Sequence, residues 1–338
     1  TVIDYVTIAT TGNATDFGDL NDARMVNNGC SSDTRGLVSG GWNGGNITNV
    51  EYITIATTGN GTEFGDLTQA RHNSGGSGDG TYGLCAGGHS GGYVNTIDYV
   101  TIATTGNSTD FGDLTNVKYA LAGCLHPTRG TFFGGYTDTP SGQYEDNIDY
   151  VTIATPGNAT NFGNMTTGWG WVGACGNATR ATKGGGEPNT NVIEYVTVDT
   201  TGNSTDFGDL TREKYASYGG IASRTRGIMP GGYYYPGSSG QYTDEMDAIT
   251  ISIQSNAFDF GNLSQGNRSE PGSASNETRG IIFGGRSGPS PLVYTNTITY
   301  CTIASQSDTV AFGDMAATGG AGYQNPTGTA SPTRLVMG

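Results

Sequence analysis

The chain has 338 residues, a formal net charge of −15 at pH 7 and only 13% charged residues, while 58 residues are Gly. This negative charge repels nucleic-acid phosphates and anionic membrane surfaces, so we expect no nucleic-acid partner. No apolar run is long enough to span a bilayer, so we expect no membrane insertion. A start at Thr1 instead of Met is compatible with a processed chain or a fragment of a longer one.

Four motifs recur in step along the chain. A Thr, usually followed by Arg, precedes a short apolar run that ends in a Gly pair, at Gly40-Gly41, Gly87-Gly88, Gly134-Gly135, Gly184-Gly185, Gly231-Gly232 and Gly284-Gly285. A strand-like run follows, in its purest form Ile-Asp-Tyr-Val-Thr-Ile-Ala-Thr-Thr-Gly-Asn, and then Phe-Gly-(Asp/Asn)-(Leu/Met). The Phe residues of this last motif lie 45 to 53 residues apart, at Phe17, Phe64, Phe111, Phe162, Phe207, Phe260 and Phe312. A sevenfold repeat of this length is typical of a propeller.

The second repeat illustrates the four strands that the pattern predicts. Strand a covers about 27–32, and strand b covers about 35–39 and ends at the Gly pair. Strand c covers about 50–56 and is rich in β-branched residues and Tyr, and strand d covers about 62–67. A slot between c and d holds Asn or Asp, such as Asn60. These residues tolerate left-handed backbone, so the slot predicts a tight hairpin turn.

The predicted fold is all-β, a seven-bladed β-propeller over 1–338 with four antiparallel strands per blade. The last residues, Thr-Ala-Ser-Pro-Thr-Arg-Leu-Val-Met-Gly, supply strands a and b of a blade, and residues 1–20 supply strands c and d. We therefore expect a closing blade built from 1–20 and about 322–338. Such closure leaves no terminal blade edge unpaired.

The repeat resembles the kelch repeat. The likeness is carried by Gly29-Cys30 to Gly40-Gly41, by Tyr52, by Phe64 and by the trailing basic residue Arg71. Phe-Gly stands where kelch repeats usually place Trp, and the trailing basic residue occurs only as Arg24, Arg71, Lys118 and Lys214. The near-verbatim phrase also resembles kelch-type repeats in structural proteins of tailed bacteriophages, especially marine ones. That resemblance implies a virion appendage, such as a tail fibre or a decoration protein.

No pattern in the chain points to catalysis, and we expect no enzymatic activity, cofactor or metal. His72, His89 and His126 occupy different repeat positions, and no metalloprotease, paired-Cys or nucleotide-binding motif occurs. The acidic slot after Phe-Gly, as at Asp19 and Asp66, would suit calcium, but the alternate spacing of calcium loops is missing. We expect this slot to pair with the Arg that follows the recurring Thr. We expect the five Cys residues to be small core side chains.

Variable loops point to one working end of the blades. The b–c loops differ in length from repeat to repeat, whereas the c–d turns do not, and binding residues on rigid scaffolds concentrate in variable loops. These loops are rich in Tyr, a residue favoured at interfaces. The alternative is that Tyr merely covers the blade ends. The predicted binding residues are Trp42, Tyr93, Tyr136, Tyr144, Tyr233, Tyr234, Tyr235, Tyr242 and Tyr294.

The leading functional hypothesis is a structural and adhesive propeller of a virion. Its expected partners are other virion proteins or a host-surface glycan or receptor. The first alternative is a bacterial extracellular or surface protein of lectin type. A glycan-processing enzyme is the second alternative, and no carboxylate pair or motif supports it.

Overall fold

The computed structural model describes residues 1–124, 126–138, 142–215, 220–236, 240–264, 268–269, 271–287, 293–316 and 326–338. Within these ranges every regular element is a β-strand, and seven sheets contain four strands each. The chain is therefore a seven-bladed β-propeller with four antiparallel strands per blade, as the repeat predicts. No helix in the described ranges is long and apolar enough to cross a membrane.

The strands of each blade follow in the order a, b, c, d. Blade 1 contains β34 (Gly328–Ala330), β35 (Arg334–Met337), β1 (Val2–Thr7) and β2 (Thr15–Asp19); blade 2 contains β3 (Asn28–Ser31), β4 (Arg35–Ser39), β5 (Asn49–Thr54) and β6 (Thr62–Asp66). Blade 3 contains β7 (Gly75–Gly78), β8 (Tyr82–Ala86), β9 (Thr96–Thr101) and β10 (Thr109–Asp113); blade 4 contains β11 (Ala122–Cys124), β12 (Arg129–Phe133), β15 (Asn147–Thr152) and β16 (Thr160–Asn164). Blade 5 contains β17 (Gly173–Gly176), β18 (Arg180–Gly184), β19 (Thr190–Thr197) and β20 (Thr205–Lys214); blade 6 contains β21 (Ile221–Ala222), β22 (Arg226–Pro230), β25 (Glu245–Thr250) and β26 (Phe258–Asn262). Blade 7 contains β28 (Gly272–Ser275), β29 (Arg279–Phe283), β32 (Thr297–Thr302) and β33 (Val310–Asp314).

Short additional strands lie in the connections between these strands. They are β13 (Tyr136–Thr137), β14 (Gln143–Tyr144), β23 (Tyr233–Tyr234), β24 (Gln241–Tyr242), β27 (Arg268–Ser269), β30 (Arg286–Ser287) and β31 (Val293–Tyr294). β13 pairs with β14, β23 pairs with β24, and β30 lies between β27 and β31.

The chain divides into two compact units. Unit 1 comprises Thr1, Gly18–Gly170 and Val196–Thr205, and it contains blades 2, 3 and 4. Unit 2 comprises Val2–Phe17, Trp171–Tyr195 and Asp206–Gly338, and it contains blades 6 and 7 with most of blades 1 and 5.

Blade 1 is built from both ends of the chain, as predicted. β1 pairs antiparallel with β35, with Asp4 opposite Met337 and Thr7 opposite Arg334. β34 pairs with the other edge of β35. Of the predicted segment 322–338, residues 322–325 lie outside the described residues.

The Phe-Gly motif marks a β-bulge in strand d. In blade 3 the register shifts between Asp110 and Gly112, which leaves Phe111 without a partner in β9. The same shift occurs in blades 2, 4, 6 and 7. A bulge redirects a side chain, and Phe111 is accordingly only 2% exposed. Its ring packs in a cluster with Phe132 and Val151 of the next blade, so it lies in the core between the two blades.

The Gly of this motif is required because the next blade comes very close. Gly65 and Gly112 have φ angles of 154° and 141°, which Gly adopts without strain. A Cβ atom at these positions would overlap the backbone of the following c–d turn, at Gly106 and Gly157 respectively. All seven repeats show an equivalent overlap. The motif therefore keeps Gly for a close approach of two backbones.

The Asn slot of the c–d turn joins neighbouring blades. The backbone N–H of Asp66 donates to Asn107 Oδ1 of the next blade, at 3.1 Å. The N–H groups of Gly106 and Ser108 donate to the carbonyls of Phe64 and Asp66, at 2.8 and 2.7 Å. Equivalent side-chain bonds are accepted by Asn13, Asn60, Asn158, Asn203, Asn256 and Asp308. Each blade is therefore hydrogen-bonded at its outer strand to the turn of the next blade.

The Asn slot does not use the left-handed backbone that Asn tolerates. Among the described residues, a positive φ outside Gly occurs at Val26, Asn73, Ala120 and Trp171, which all lie between strand d and the next strand a. The turn keeps Asn for its side-chain oxygen, which reaches the next blade, and not for its backbone preference.

The expected pairing of the recurring Arg with the acidic slot is also wrong. Arg35 Nη1 donates to the Ile102 carbonyl of the next blade at 3.1 Å, and its guanidinium lies 4.5 Å from the Tyr52 ring centroid. Asp66 Oδ1 instead accepts a hydrogen bond from Thr48 Oγ1 at 2.7 Å. The same bond to a carbonyl of the next blade is made by Arg129, Arg180, Arg226 and Arg279. The Arg residues therefore tie blades together through backbone oxygens.

In blade 5 the Gly pair is shifted by one residue from its predicted position. β18 extends through Gly184, and the positive φ angles are at Gly185 (66°) and Gly186 (137°). These match Gly40 (59°) and Gly41 (112°) in blade 2. The predicted pair Gly184-Gly185 is therefore wrong by one position, because three consecutive Gly residues do not define a register.

The Cys residues are core side chains, as expected. All five are free thiols. Cys85, Cys175 and Cys301 belong to hydrophobic clusters, and Cys30 packs against one. Burial raises the pKa of the Cys301 thiol to about 11, so this thiol remains protonated at neutral pH.

We predict that Phe111→Ala lowers the free energy of unfolding by about 3–5 kcal/mol, because it opens a cavity between two blades. Denaturant unfolding measures the change. Val310→Ala is the matched control, because this strand-d side chain is 54% exposed and its loss should cost less than about 0.5 kcal/mol. A cost below about 1 kcal/mol for Phe111→Ala would contradict a between-blade core role.

We predict that deleting residues 1–20 leaves β35 with an unpaired edge and makes the chain self-associate. Size-exclusion chromatography with light scattering measures the association, and the melting temperature should fall. A synthetic peptide of residues 1–20 added in trans should reverse both effects. A truncated chain that stays monomeric with an unchanged melting temperature would refute the shared closing blade.

Candidate functional site

At one end of blades 2, 3, 4, 6 and 7, the b–c loop meets the d–a link that leads in from the preceding blade. In blade 2, Met25 of the link and Trp42 of the loop exchange backbone hydrogen bonds of 3.1 and 3.0 Å. Trp42 also forms a bridge with Asn46 at the end of the same loop. Side chains directly opposite each other in an antiparallel pair project to the same side. Met25, Trp42 and Asn46 therefore form a row of three, which we call row 2.

Equivalent rows occur in four other blades. Row 3 is His72, His89 and Tyr93; row 4 is Tyr119, Tyr136 and Tyr144; row 6 is Tyr215, Tyr233 and Tyr242; in row 7, Arg286 pairs with Tyr294 and with the backbone of Ser269. In rows 2, 3, 4 and 6 the first residue belongs to the d–a link, the second follows the Gly pair, and the third ends the b–c loop. The rows thus place residues from distant segments at the loop end of the blade.

The rings of rows 2, 3 and 4 form a continuous series within unit 1. Tyr93 and Tyr119 are stacked with centroids 4.6 Å apart and an interplanar angle of 22°. The other contacts are tilted or edge-to-face, which suits the charge distribution of aromatic rings. Successive centroids lie 4.6 to 5.8 Å apart along Trp42, His72, His89, Tyr93, Tyr119, Tyr136 and Tyr144. We call these seven residues the aromatic series.

Exposure varies along the aromatic series. Trp42 is 38% exposed, and its backbone partner Met25 is 53% exposed. The remaining members are half-buried. Row 2 is therefore the solvent-exposed end of the series, and the rings of rows 3 and 4 are partly buried.

A second cluster of tyrosines lies within unit 2. The Tyr233 ring is 5.3 Å from Tyr215, 5.2 Å from Tyr235 and 5.0 Å from Tyr242. Tyr235 is 54% exposed. Burial, together with the neighbouring Tyr235, raises the pKa of Tyr233 and of Tyr215, so both phenols remain neutral at physiological pH.

Two predicted binding residues lie outside these ring contacts. Tyr234 projects away from Tyr233, as alternation along a strand requires; its hydroxyl donates to Gln241 Oε1 at 3.2 Å. The guanidinium of Arg212 lies 4.5 Å from the Tyr234 ring centroid. Tyr294 lies opposite Arg286 in row 7.

The structure adds residues of the d–a links that sequence reasoning did not include. His72 and Tyr119 complete the series in unit 1, His89 joins it from a b–c loop, and Tyr215 completes the cluster in unit 2. A signal was present in the sequence. Each first residue of rows 2, 3, 4 and 6 directly follows one of the trailing basic residues Arg24, Arg71, Lys118 and Lys214.

Buried ion pairs hold these links in place. Arg71 Nη2 lies 2.8 Å from Asp98 Oδ2, and both side chains are fully buried. The same carboxylate accepts hydrogen bonds from the Thr68 backbone N–H at 3.1 Å and the Thr68 hydroxyl at 2.5 Å. Asp98 in strand c therefore fixes both the start of the link and the residue just before His72. Burial is the main influence on its pKa, which it raises, and Arg71 opposes it.

Equivalent pairs support the other rows. Lys118 Nζ lies 2.8 Å from Asp149 Oδ2, and Lys214 Nζ lies 2.6 Å from Asp247 Oδ2. Arg24 forms the corresponding pair with Glu51. A buried charge without a partner costs several kcal/mol. The cation and the carboxylate are therefore retained together beneath each aromatic row.

In blade 5 the buried carboxylate of strand c is paired with a cation from a different position. Trp169 occupies the position of the link cation, and Glu194 instead pairs with Lys183 of strand b at 3.4 Å. Burial lowers the pKa of Lys183 to about 8. In blade 7 the carboxylate is replaced by Thr299, which is fully buried and donates to the Ile282 carbonyl. This position of strand c therefore accommodates either an ion-paired carboxylate or a neutral Thr.

The links also adopt an unusual backbone. Val26, Asn73 and Ala120 each follow the first residue of a row and have φ angles of 49°, 54° and 55°. Left-handed backbone is costly for residues other than Gly, most of all for a β-branched residue. The Asn73 N–H donates to the Val26 carbonyl at 3.0 Å, and the Ala120 N–H donates to the Asn73 carbonyl at 3.1 Å. These bonds connect successive links and keep the rows in register.

The two histidines of the aromatic series contact each other, and His72 is hydrogen-bonded to Asn46. No group of three or more His, Cys, Asp or Glu residues in the described part of the chain is placed to hold a metal ion. His72 Nδ1 donates to Asn46 Oδ1 at 2.6 Å, and the ring of His72 lies 5.2 Å from that of His89. Burial, and to a smaller extent His89, lowers the pKa of His72, so this imidazole is neutral at pH 7. Comparisons with protein-family models and with curated proteins gave no match.

We predict that Lys118→Met lowers the free energy of unfolding by about 3–5 kcal/mol, because it leaves Asp149 buried without its cation. The double variant Lys118→Met with Asp149→Thr places a neutral Thr at the position that Thr299 holds in blade 7. It should regain more than half of the lost free energy of unfolding. Denaturant unfolding of both variants measures the difference. A double variant as unstable as the single one would show that the ion pair is not what fixes the link.

Proposed function

We propose that the chain is a non-enzymatic, kelch-like propeller of a virion with a structural and adhesive role. In this proposal the loop end of the blades contacts the partner, which is a neighbouring virion protein or a host-surface glycan or receptor. The observation that carries the proposal is the aromatic series of unit 1, where seven rings from three blades are held in mutual contact. Tyr and Trp supply contact area at low entropic cost, and a preformed surface loses little freedom on binding.

The construction of the loops supports this role. The second residues of the rows follow Gly pairs in positive-φ conformation, and the first residues of rows 2, 3 and 4 follow buried cations. The Gly pairs and the buried ion pairs both fix the backbone that carries the rings. A rigid scaffold with aromatic loops is the arrangement that recurs in binding proteins. The virion assignment rests on the resemblance of the repeat phrase to structural proteins of tailed bacteriophages.

The alternative is a bacterial surface propeller of lectin type, which would use the same loop end. Antibodies against the chain, applied to the native source sample in immunogold electron microscopy, separate the two. Label on tails or capsids supports the virion, and label on bacterial envelopes supports the alternative. Label on neither would contradict both.

We predict that the double variant Trp42→Ala with Tyr235→Ala reduces attachment to the labelled partner surface at least tenfold. Among the residues that the structure describes, these are the exposed aromatic side chains of the two units, and their removal should leave the melting temperature nearly unchanged. Attachment is measured by surface plasmon resonance on immobilised source particles or envelopes.

The matched control is Arg224→Ala with Ile253→Ala. These residues lie in an a–b turn and a c–d turn, at the opposite end of the blade, and the Arg224 side chain is 86% exposed and Ile253 is 60% exposed. Attachment of the control should equal that of the wild type. A control that loses attachment while the aromatic variant retains it would place the working surface at the opposite end.

A further inference from the structure

We infer that row 2 is a binding subsite for an uncharged sugar residue, with the Trp42 indole as its stacking surface. This inference rests on the proposed function, because it names the ligand class of one part of the same surface. It concerns Met25, Trp42 and Asn46, together with the glycine-rich tip of their loop.

The chemistry of row 2 alternates between apolar and polar groups. Met25 presents a thioether, Trp42 an indole and Asn46 an amide, and all three project to the same side of their backbone ladder. A pyranose ring has an apolar C–H face and a rim of hydroxyl groups. Its C–H face suits the electron-rich face of an indole, and its hydroxyls suit a neighbouring amide. Row 2 therefore offers both kinds of contact on residues that lie directly opposite each other.

The polar contact is already oriented. Asn46 Oδ1 accepts the hydrogen bond from His72 Nδ1 at 2.6 Å. The Nδ2 group makes no hydrogen bond with the described residues and is left as a donor for a hydroxyl. The same His72 ring lies against Trp42 with centroids 5.5 Å apart and an interplanar angle of 64°. One imidazole therefore orients both the amide and the indole, and it is a positioning residue.

The loop leaves space for a ligand. The tip between Trp42 and Asn46 contains Gly44 and Gly45, and an added Cβ atom at either Gly would meet no atom within 4 Å beyond its own chain neighbours. The exposed apolar surface of the row is limited to Met25 and Trp42. Two side chains are far less than the surface of about 800 Å² that each partner contributes to a stable protein complex. The dimensions therefore favour a small ligand over a protein as the occupant of this row.

The charge of the surroundings favours an uncharged sugar. The nearest basic residues along the two links, Arg24 and Arg71, are fully buried and paired with Glu51 and Asp98. Neither can offer its charge to a carboxylate or a sulfate. The chain as a whole carries a net charge of −15, which repels acidic glycans further. Row 2 should therefore discriminate against sialylated and sulfated sugars.

The test uses a panel of soluble neutral oligosaccharides, made of glucose, galactose, mannose or N-acetylglucosamine units, beside sialylated and sulfated counterparts. Tryptophan fluorescence and calorimetry measure binding to the full chain. At least one neutral oligosaccharide should bind. Trp42→Ala should weaken its binding at least tenfold, Trp42→Phe should keep it within about threefold, and acidic counterparts should bind at least tenfold more weakly. Asn46→Ala and His72→Ala should each weaken binding several-fold with an unchanged melting temperature.

The outcomes separate this inference from the proposed function. If no neutral oligosaccharide binds, or if Trp42→Ala leaves sugar binding unchanged, the sugar subsite is wrong. Attachment to the partner surface that still depends on Trp42 and Tyr235 would then leave the proposed function standing, with a protein as partner. If neither sugar binding nor attachment depends on these residues, both proposals fail.

Discussion

A buried carboxylate in strand c is the constraint on which the candidate surface depends. Asp98 is removed from water and therefore needs partners, because an uncompensated buried charge would destabilise the fold by several kcal/mol. Its partners are Thr68 and Arg71, the start and the middle of the incoming link. The next residue, His72, opens row 3. An electrostatic requirement inside the blade thus sets the position of an aromatic residue at its surface.

A second device joins the blades at their outer strands. The bulge at Phe-Gly turns the aromatic ring into the space between blades, and the following Gly lets the next c–d turn come within contact distance of the strand. The turn then bonds back through backbone N–H groups and an Asn oxygen, as Asn107 does with Asp66. This junction repeats with little change, so the c–d end is uniform. The b–c loops are free of that constraint, and they vary in length and composition.

Blade 5 is an exception that shows which of these features is retained. Blade 5 has lost the link cation and supplies Lys183 from strand b, so Glu194 remains paired. Gly170 then stands at the link position that holds Met25, His72 and Tyr119 in other blades, and it lies against the Tyr144 ring. Neutralisation of the buried carboxylate is therefore kept even where an aromatic row is not. Blade 5 therefore forms its four-stranded sheet with Gly at the position where other blades carry the first residue of a row.

The sequence by itself determined the number of blades, their strands and the shared closing blade, because these follow from local periodicity and from the order of segments. It also indicated the loops that carry Trp42 and Tyr136. Only the tertiary structure decided that Asn107 serves a neighbouring blade, that Asp98 pairs with Arg71, and that two histidines from different repeat positions meet inside the aromatic series. Each of these contacts joins residues that different segments bring together. A repeat pattern specifies the order of such residues along the chain, but their distance in space depends on how strand bulges, left-handed links and blade packing orient one segment against the next.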